Sequence, residues 1–334
     1  MTTRLDTQWQ YRGLQVVRLE NDLLCVDVLP ELGAKIWNLV HKPSGTNLLW
    51  HNPHVSPEPQ PFGARYDDVW SGGWDELLPN DVPTPVAFGD TLPDHGEVWA
   101  QASEWSVVED TSAQVAVRFV NYGRVWPTRF EKTLALRAGD SHLSVSYRYA
   151  NQGPTPIDFL WNIHPAMRIS EATRLDLPAR RGIVDPWSSD RFAGGAEYEW
   201  PYATDRAGRR VDLRAVPPQG ADADFHYLPD VAEGWYAVTD TASRVGFGLA
   251  FPTAVFPHLW LFRPLGGWRG LYTLIVEAST GYPYELAVAR QAGHCSHLER
   301  GQVLEAQVRA VAYAGCASVQ RIEPDGRVIP GVDG

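Results

Sequence analysis

Three ionisable residues sit in stretches whose composition otherwise belongs to a protein interior: Glu277, His164 and His95. Glu277 lies in residues 271–284 (LYTLIVEASTGYPY), where Tyr272, Thr273, Ile275 and Val276 give the β-branched and aromatic character of a buried strand. Gly281 and Pro283 end that run, one by permitting turn dihedrals and the other by removing a ladder donor. A carboxylate there is costly to bury unless it is paired, hydrogen-bonded or used. His164 lies in the apolar segment FLWNIHPAMRI, with Pro165 expected to end the strand just after it. His95 lies in PDHGEVW, where Gly96 lets the backbone come close to a ligand. An imidazole and a carboxylate in one cleft form a general acid–base pair, and such groups typically contribute about 10²–10⁴-fold each. Each residue also has a plainer reading: the histidines as hydrogen-bonded structural rings, and Glu277 as a carboxylate at a strand end facing solvent.

The elements that must position these residues are mostly strands. Residues 23–29 and 34–40 predict neighbouring strands joined by Pro30-Glu31-Leu32-Gly33. Residues 51–94 are rich in Pro, Gly, Trp and Asp and weak in period; Phe62, Tyr66, Trp70, Trp74 and Phe88 favour an ordered, packed loop. Strands are expected again at 97–108, 114–121, 129–137 and 142–150. In the last of these Leu143, Val145, Tyr147 and Tyr149 share one face. Residues 156–169 read as a strand pair broken at Pro165, and 179–233 as polar loops. A hairpin follows at 235–239 and 245–251, with strands at 255–263, 271–278, 284–290 and 302–313. No repeat or linker divides the chain, so residues 1–334 read as one large all-β, single-domain antiparallel β-sandwich with little helix.

Composition narrows the function. The net charge of −11, spread along the chain, argues against nucleic acid or anionic membrane as partner. Three cysteines without paired spacing suit a reducing compartment. The N-terminal segment lacks an apolar h-region and nothing reaches membrane-span length, so the expected location is cytoplasmic. There is no G-x-S-x-G elbow, P-loop or dinucleotide-binding glycine motif. The pairs His51/His54 and His294/His297 could bind a metal only with carboxylates nearby, and no metal or cofactor is expected. With 14 Trp and 13 Tyr, some rings in the irregular loops are available to stack on a sugar face.

The ordered set LPELGAKIWNLVHKPSGTNLLW, HGEVW, WNIHPAM and VEASTGYP resembles the aldose 1-epimerase (galactose mutarotase-like) superfamily, over roughly residues 15–313. The resemblance implies a supersandwich with the site on its concave face. It also implies a monosaccharide or other small sugar as ligand, Glu277 as base, His164 as acid and His95 assisting. The family's Asn-Arg pair ahead of the first catalytic His is missing; the chain reads VWSGGWDELLPNDVP there. Asp75 and Glu76 are then candidates to accept from sugar hydroxyls, Trp74 to stack, and Asn162 to make a further contact. Three other readings stay open. One is a non-catalytic carbohydrate-binding protein of the same fold, and another an epimerase for a phosphorylated or sulfonated sugar bound by two or more of Arg65, Arg124, Arg129, Arg263 and Arg269. The third is a polysaccharide lyase or hydrolase on a related sandwich, although hydrolases usually need two acidic groups across the bond and only Glu277 has a strong claim to such a site.

Overall fold

Alternation of apolar and polar residues along many short strands produces two antiparallel sheets packed face to face in a computed structural model that describes residues 2–188 and 190–332. The larger sheet has 12 strands among the described residues, the smaller 8. The smaller sheet runs through Glu104–Asp110, Gln114–Tyr122, Thr128–Arg137, His142–Asn151 and Val303–Ala314, then the hairpin Trp235–Asp240 and Val245–Ala250. At the centre of the larger sheet four neighbours follow in the order Trp74–Leu77, Asn162–Met167, Leu274–Ser279 and His258–Leu265.

Period two divides the side chains of these four strands. Ile163, Met167, Leu259, Leu261, Leu274, Val276 and Ala278 join the main core between the sheets. His164, Glu277, Trp260 and Phe262 belong to the opposite face. Trp74 and Glu76 have the core parity. Glu76 is buried between the sheets, where Tyr147 Oη–H (2.6 Å), Trp74 Nε1–H (3.1 Å) and Trp161 Nε1–H (3.1 Å) donate to its carboxylate and Lys132 Nζ lies 3.2 Å away. Lys132 projects from the smaller sheet, so this pair ties the two layers together.

Several elements differ from the sequence expectations. Residues 284–290 are not a strand: Leu286–Ala292 is a helix, with Leu286 and Ala289 buried three residues apart and Gly293 (φ 71°) closing it in the left-handed region. The 179–233 segment contributes three large-sheet strands, Arg181–Val184, Glu197–Glu199 and Asp222–Leu228, the last paired with His258–Leu265. The polar face of that last strand (Asp222, Asp224, His226) is largely buried against Arg263 and Arg191, which hid the strand pattern. An edge hairpin of Arg4–Tyr11 and Leu14–Glu20 was also not expected. Pro165 does not end its strand, which continues to Met167 with Pro165 opposite Trp74. No helix among the described residues is long and apolar enough to cross a membrane.

Losing one member of a buried charge pair typically costs about 3–5 kcal/mol, because the other is stranded. Lys132→Met should therefore lower unfolding free energy by that order in urea titrations, whereas a near-neutral result would show that Glu76 does not depend on the cation.

Candidate active site

The register of two strands brings the first pair together. Asn162 and Ile163 face Ser279 and Ala278, while Ala166 and Met167 face Ile275 and Leu274. The count is unbroken across the gap, so His164 lies opposite Glu277. Pro165 has no N–H to give the ladder at this point. His164 Nε2 is 4.0 Å from Glu277 Oε1, with both side chains almost fully buried. The row continues on either side, His164 facing Asp75 and Glu277 facing Trp260, all on the face away from the main core.

Burial dominates the electrostatics. It pushes the Glu277 carboxyl well above its usual range, with Asp81 adding to the rise and His95 opposing it. Glu277 Oε2 is buried with no hydrogen-bond partner. Burial likewise drives His164 well below the ordinary imidazole value, helped by the positive charges of His95 and Lys35. The pair thus favours its neutral form, with one proton held by Glu277. Tyr66 sets the tautomer: its hydroxyl donates to Asp75 Oδ2 (2.8 Å) and its oxygen lies 3.4 Å from His164 Nδ1. Tyr66 has one hydrogen, so His164 Nδ1–H is the donor to Tyr66, and the Nε2 lone pair faces Glu277.

His95 has the opposite character. Burial alone would lower it, but Asp81 and Asp94 together raise it to about 9. Asp94 Oδ1 lies 3.2 Å from Nδ1 and Asp81 Oδ2 lies 3.9 Å from Nε2. The 3.2 Å contact is an ion-pair separation without hydrogen-bond alignment, since Nδ1 has no hydrogen-bond partner. The ring stacks on Tyr66 (centroids 4.3 Å, 17° between planes). Its backbone takes a left-handed φ of 56°, followed by Gly96 at 84°. A Cβ on Gly96 would meet the Leu78 carbonyl oxygen at 2.2 Å, so only glycine fits there.

All three residues line one cavity of about 780 Å³. The irregular 51–94 segment builds one wall with Phe62, Tyr66, Trp70 and Asp81, while Phe225, Trp260, Phe262, Trp268 and Tyr284 form the other side. Trp70 presents an edge contact to His164 at 5.6 Å. Sequence reasoning singled out His95, His164 and Glu277 but missed Asp81, Asp94, the hydrogen-bonding role of Tyr66, and Lys35. The Asp-His adjacency in PDHG was the available signal for Asp94.

The four expected substrate contacts are not on the cavity wall. Trp74 and Glu76 point into the sandwich because they stand one residue out of phase with the cleft face. Asp75 has the right parity but is covered by Tyr66 and paired with Lys35 Nζ at 2.6 Å. Asn162 is also buried. The histidine pairs are engaged elsewhere: His51 stacks on Trp37 and His297 pairs with Asp158. Among the described residues no group of three His, Cys, Asp or Glu could hold a metal ion. Of the five arginines considered for an anionic sugar, only Arg65 lines the cavity. Arg263 is buried on Asp224, Arg269 pairs with Asp68, Arg129 pairs with Glu131 and Arg124 lies over Phe62.

Comparisons with known proteins agree on the fold. A family model described as a domain of unknown function (DUF5107) matches residues 3–58. No curated protein matches the chain. A provisionally named aldose 1-epimerase of Klebsiella pneumoniae superposes with TM-score 0.71 at 14% identity, over 92% of this chain and 82% of its own. The Slr1438 protein of Synechocystis superposes with TM-score 0.66 at 16% identity, covering 93% and 99% of the two chains. A galactose mutarotase-like protein of Clostridium acetobutylicum gives 0.64 at 10% identity, covering 94% and 99%. The chain therefore has the galactose mutarotase-like fold, and at these identities its chemistry must be argued from the cleft.

Because folded His95 titrates above its ordinary 6.5, its charge contributes stability that is complete below about 6.5 and lost as pH rises through about 9. Asp81→Asn should move the His95 ring titration, followed by NMR, downward from about 9. An unchanged titration would show that Asp81 does not hold the charge.

Proposed function

We propose that this protein is an aldose 1-epimerase-like isomerase, interconverting the α and β anomers of a free aldose by acid–base ring opening. The observation that carries this is the His164–Glu277 pair: two groups opposed across one strand pair, facing a cleft and spent on no structural ion pair. Ring opening needs one proton taken from the anomeric hydroxyl and one given to the ring oxygen. In the productive form the pair's single proton has passed from Glu277 to Nε2 of His164, leaving a carboxylate and an imidazolium. Glu277 then accepts the anomeric proton while His164 delivers its own to the ring oxygen. Rotation about C1–C2 and the reverse transfers close the other anomer, and the pair again holds one proton. Cationic His95 favours the ionised state of Glu277 and stabilises negative charge developing on the sugar. No step calls on a metal or cofactor.

A binding protein of the same fold is the competing reading. Binding needs hydrogen bonds and stacking, to which Glu277 Oε2 can add one acceptor, but it does not require an imidazole set opposite that carboxyl with both titrations strongly shifted by burial. A phosphorylated or sulfonated substrate is less well supported, since Arg65 is the one cavity residue among the five arginines able to meet its charge.

Glu277→Gln should lower enzyme-accelerated mutarotation, followed by polarimetry, by about 10²-fold or more with the fold retained. A near-wild-type rate would remove Glu277 as base. His164→Ala should lose activity on a similar scale; activity within a few-fold of wild type would place the acid elsewhere.

A further inference from the structure

The cavity holding the acid–base pair does not end at its own aromatic wall. Trp187 and Trp268 line it and also line a second cavity of about 560 Å³. Trp187 is 42% exposed, so part of its ring surface is open to a ligand. Phe262 lies between the two tryptophans, 5.2 Å from Trp187 and 5.4 Å from Trp268, with both contacts edge-on. The result is a band of aromatic surface leading away from Glu277 and across into the neighbouring cavity.

The second cavity is polar. Its charged walls are Asp190, Asp205 and Asp222 with Arg191, Arg206 and Arg209, so the signs balance. Arg191 pairs with Asp222 at 3.3 Å and with Asp224 at 2.6 Å, while Arg209 pairs with Asp205 at 2.8 Å. A wall with equal numbers of carboxylates and guanidinium groups offers donors and acceptors to hydroxyls, but no net charge for an anion. The first cavity alone, at about 780 Å³, lies in the upper part of the roughly 300–1,000 Å³ range of small-ligand sites. A single sugar ring seated against His164 and Glu277 would leave the tryptophan band and the polar cavity unfilled.

We propose that the natural ligand is an uncharged reducing oligosaccharide of at least two sugar units. Its reducing end occupies the Glu277–His164 site, the next ring stacks on the Trp187–Phe262–Trp268 band, and any further unit reaches the Asp/Arg cavity. Aromatic rings suit this task because a pyranose presents an apolar face and a polar edge, as the rings themselves do. The proposal rests on the epimerase reading for which end of the sugar enters the catalytic pocket.

The test measures anomer exchange and equilibrium binding for glucose, galactose and mannose against reducing di- and trisaccharides built from them. For at least one series, kcat/KM and affinity should rise about tenfold or more from mono- to disaccharide. Trp187→Ala should bring that ratio toward one, and Trp187→Phe, which keeps a stacking face, should restore most of it. Trp187 lies at the surface, and circular dichroism confirms that each variant is folded. Equal handling of mono- and oligosaccharides in every series, or a ratio untouched by Trp187→Ala, overturns the subsite while leaving the epimerase reading intact. Trp187-dependent oligosaccharide binding without anomer exchange supports the subsite and overturns the epimerase reading instead.

Discussion

The cleft depends on one unfavourable act, the burial of the Glu277 carboxyl with no hydrogen bond for Oε2. An ionised carboxylate in such surroundings is expensive, so burial favours the protonated carboxyl and the neutral form of the neighbouring imidazole. The fold sustains this through the strand register that sets His164 opposite Glu277. Ile163 and Ala278 on one side and Ala166 and Ile275 on the other fix the alignment. Neither side chain can slip without turning a whole strand face inward.

Around that pair the charges are sorted by depth. The Lys35–Asp75 ion pair lies beneath Tyr66 and fixes the Tyr66 hydroxyl, which in turn fixes the His164 tautomer. The Asp81–His95–Asp94 group keeps a cation beside the site that persists to about pH 9. The Glu76–Lys132 pair lies between the sheets and joins the layers. One parity step along Trp74–Leu77 thus separates Glu76, which ties the sheets, from Asp75, which supports the cleft.

Glu277, His164 and His95 were legible in the sequence because each is an ionisable residue in apolar or glycine-marked surroundings. Their convergence was not legible, since it depends on which strands become neighbours. Trp74 and Glu76 were assigned to substrate because their segment precedes His95 in the expected order; order along the chain does not report which face a residue occupies. The helix Leu286–Ala292 was read as a strand because a short apolar run fits either period. The strand Asp222–Leu228 was hidden by ion pairs that allow a polar face to be buried. The all-β sandwich itself was readable, because alternation repeats over enough strands to outweigh errors at individual boundaries.

The most direct measurement is two-dimensional exchange NMR on anomeric proton signals, with wild-type protein across free, phosphorylated and sulfonated aldoses. The account predicts exchange between α and β signals well above the buffer rate for at least one free aldose, and weaker or no acceleration for the anionic sugars. Saturable sugar binding with exchange no faster than buffer for every aldose would contradict it.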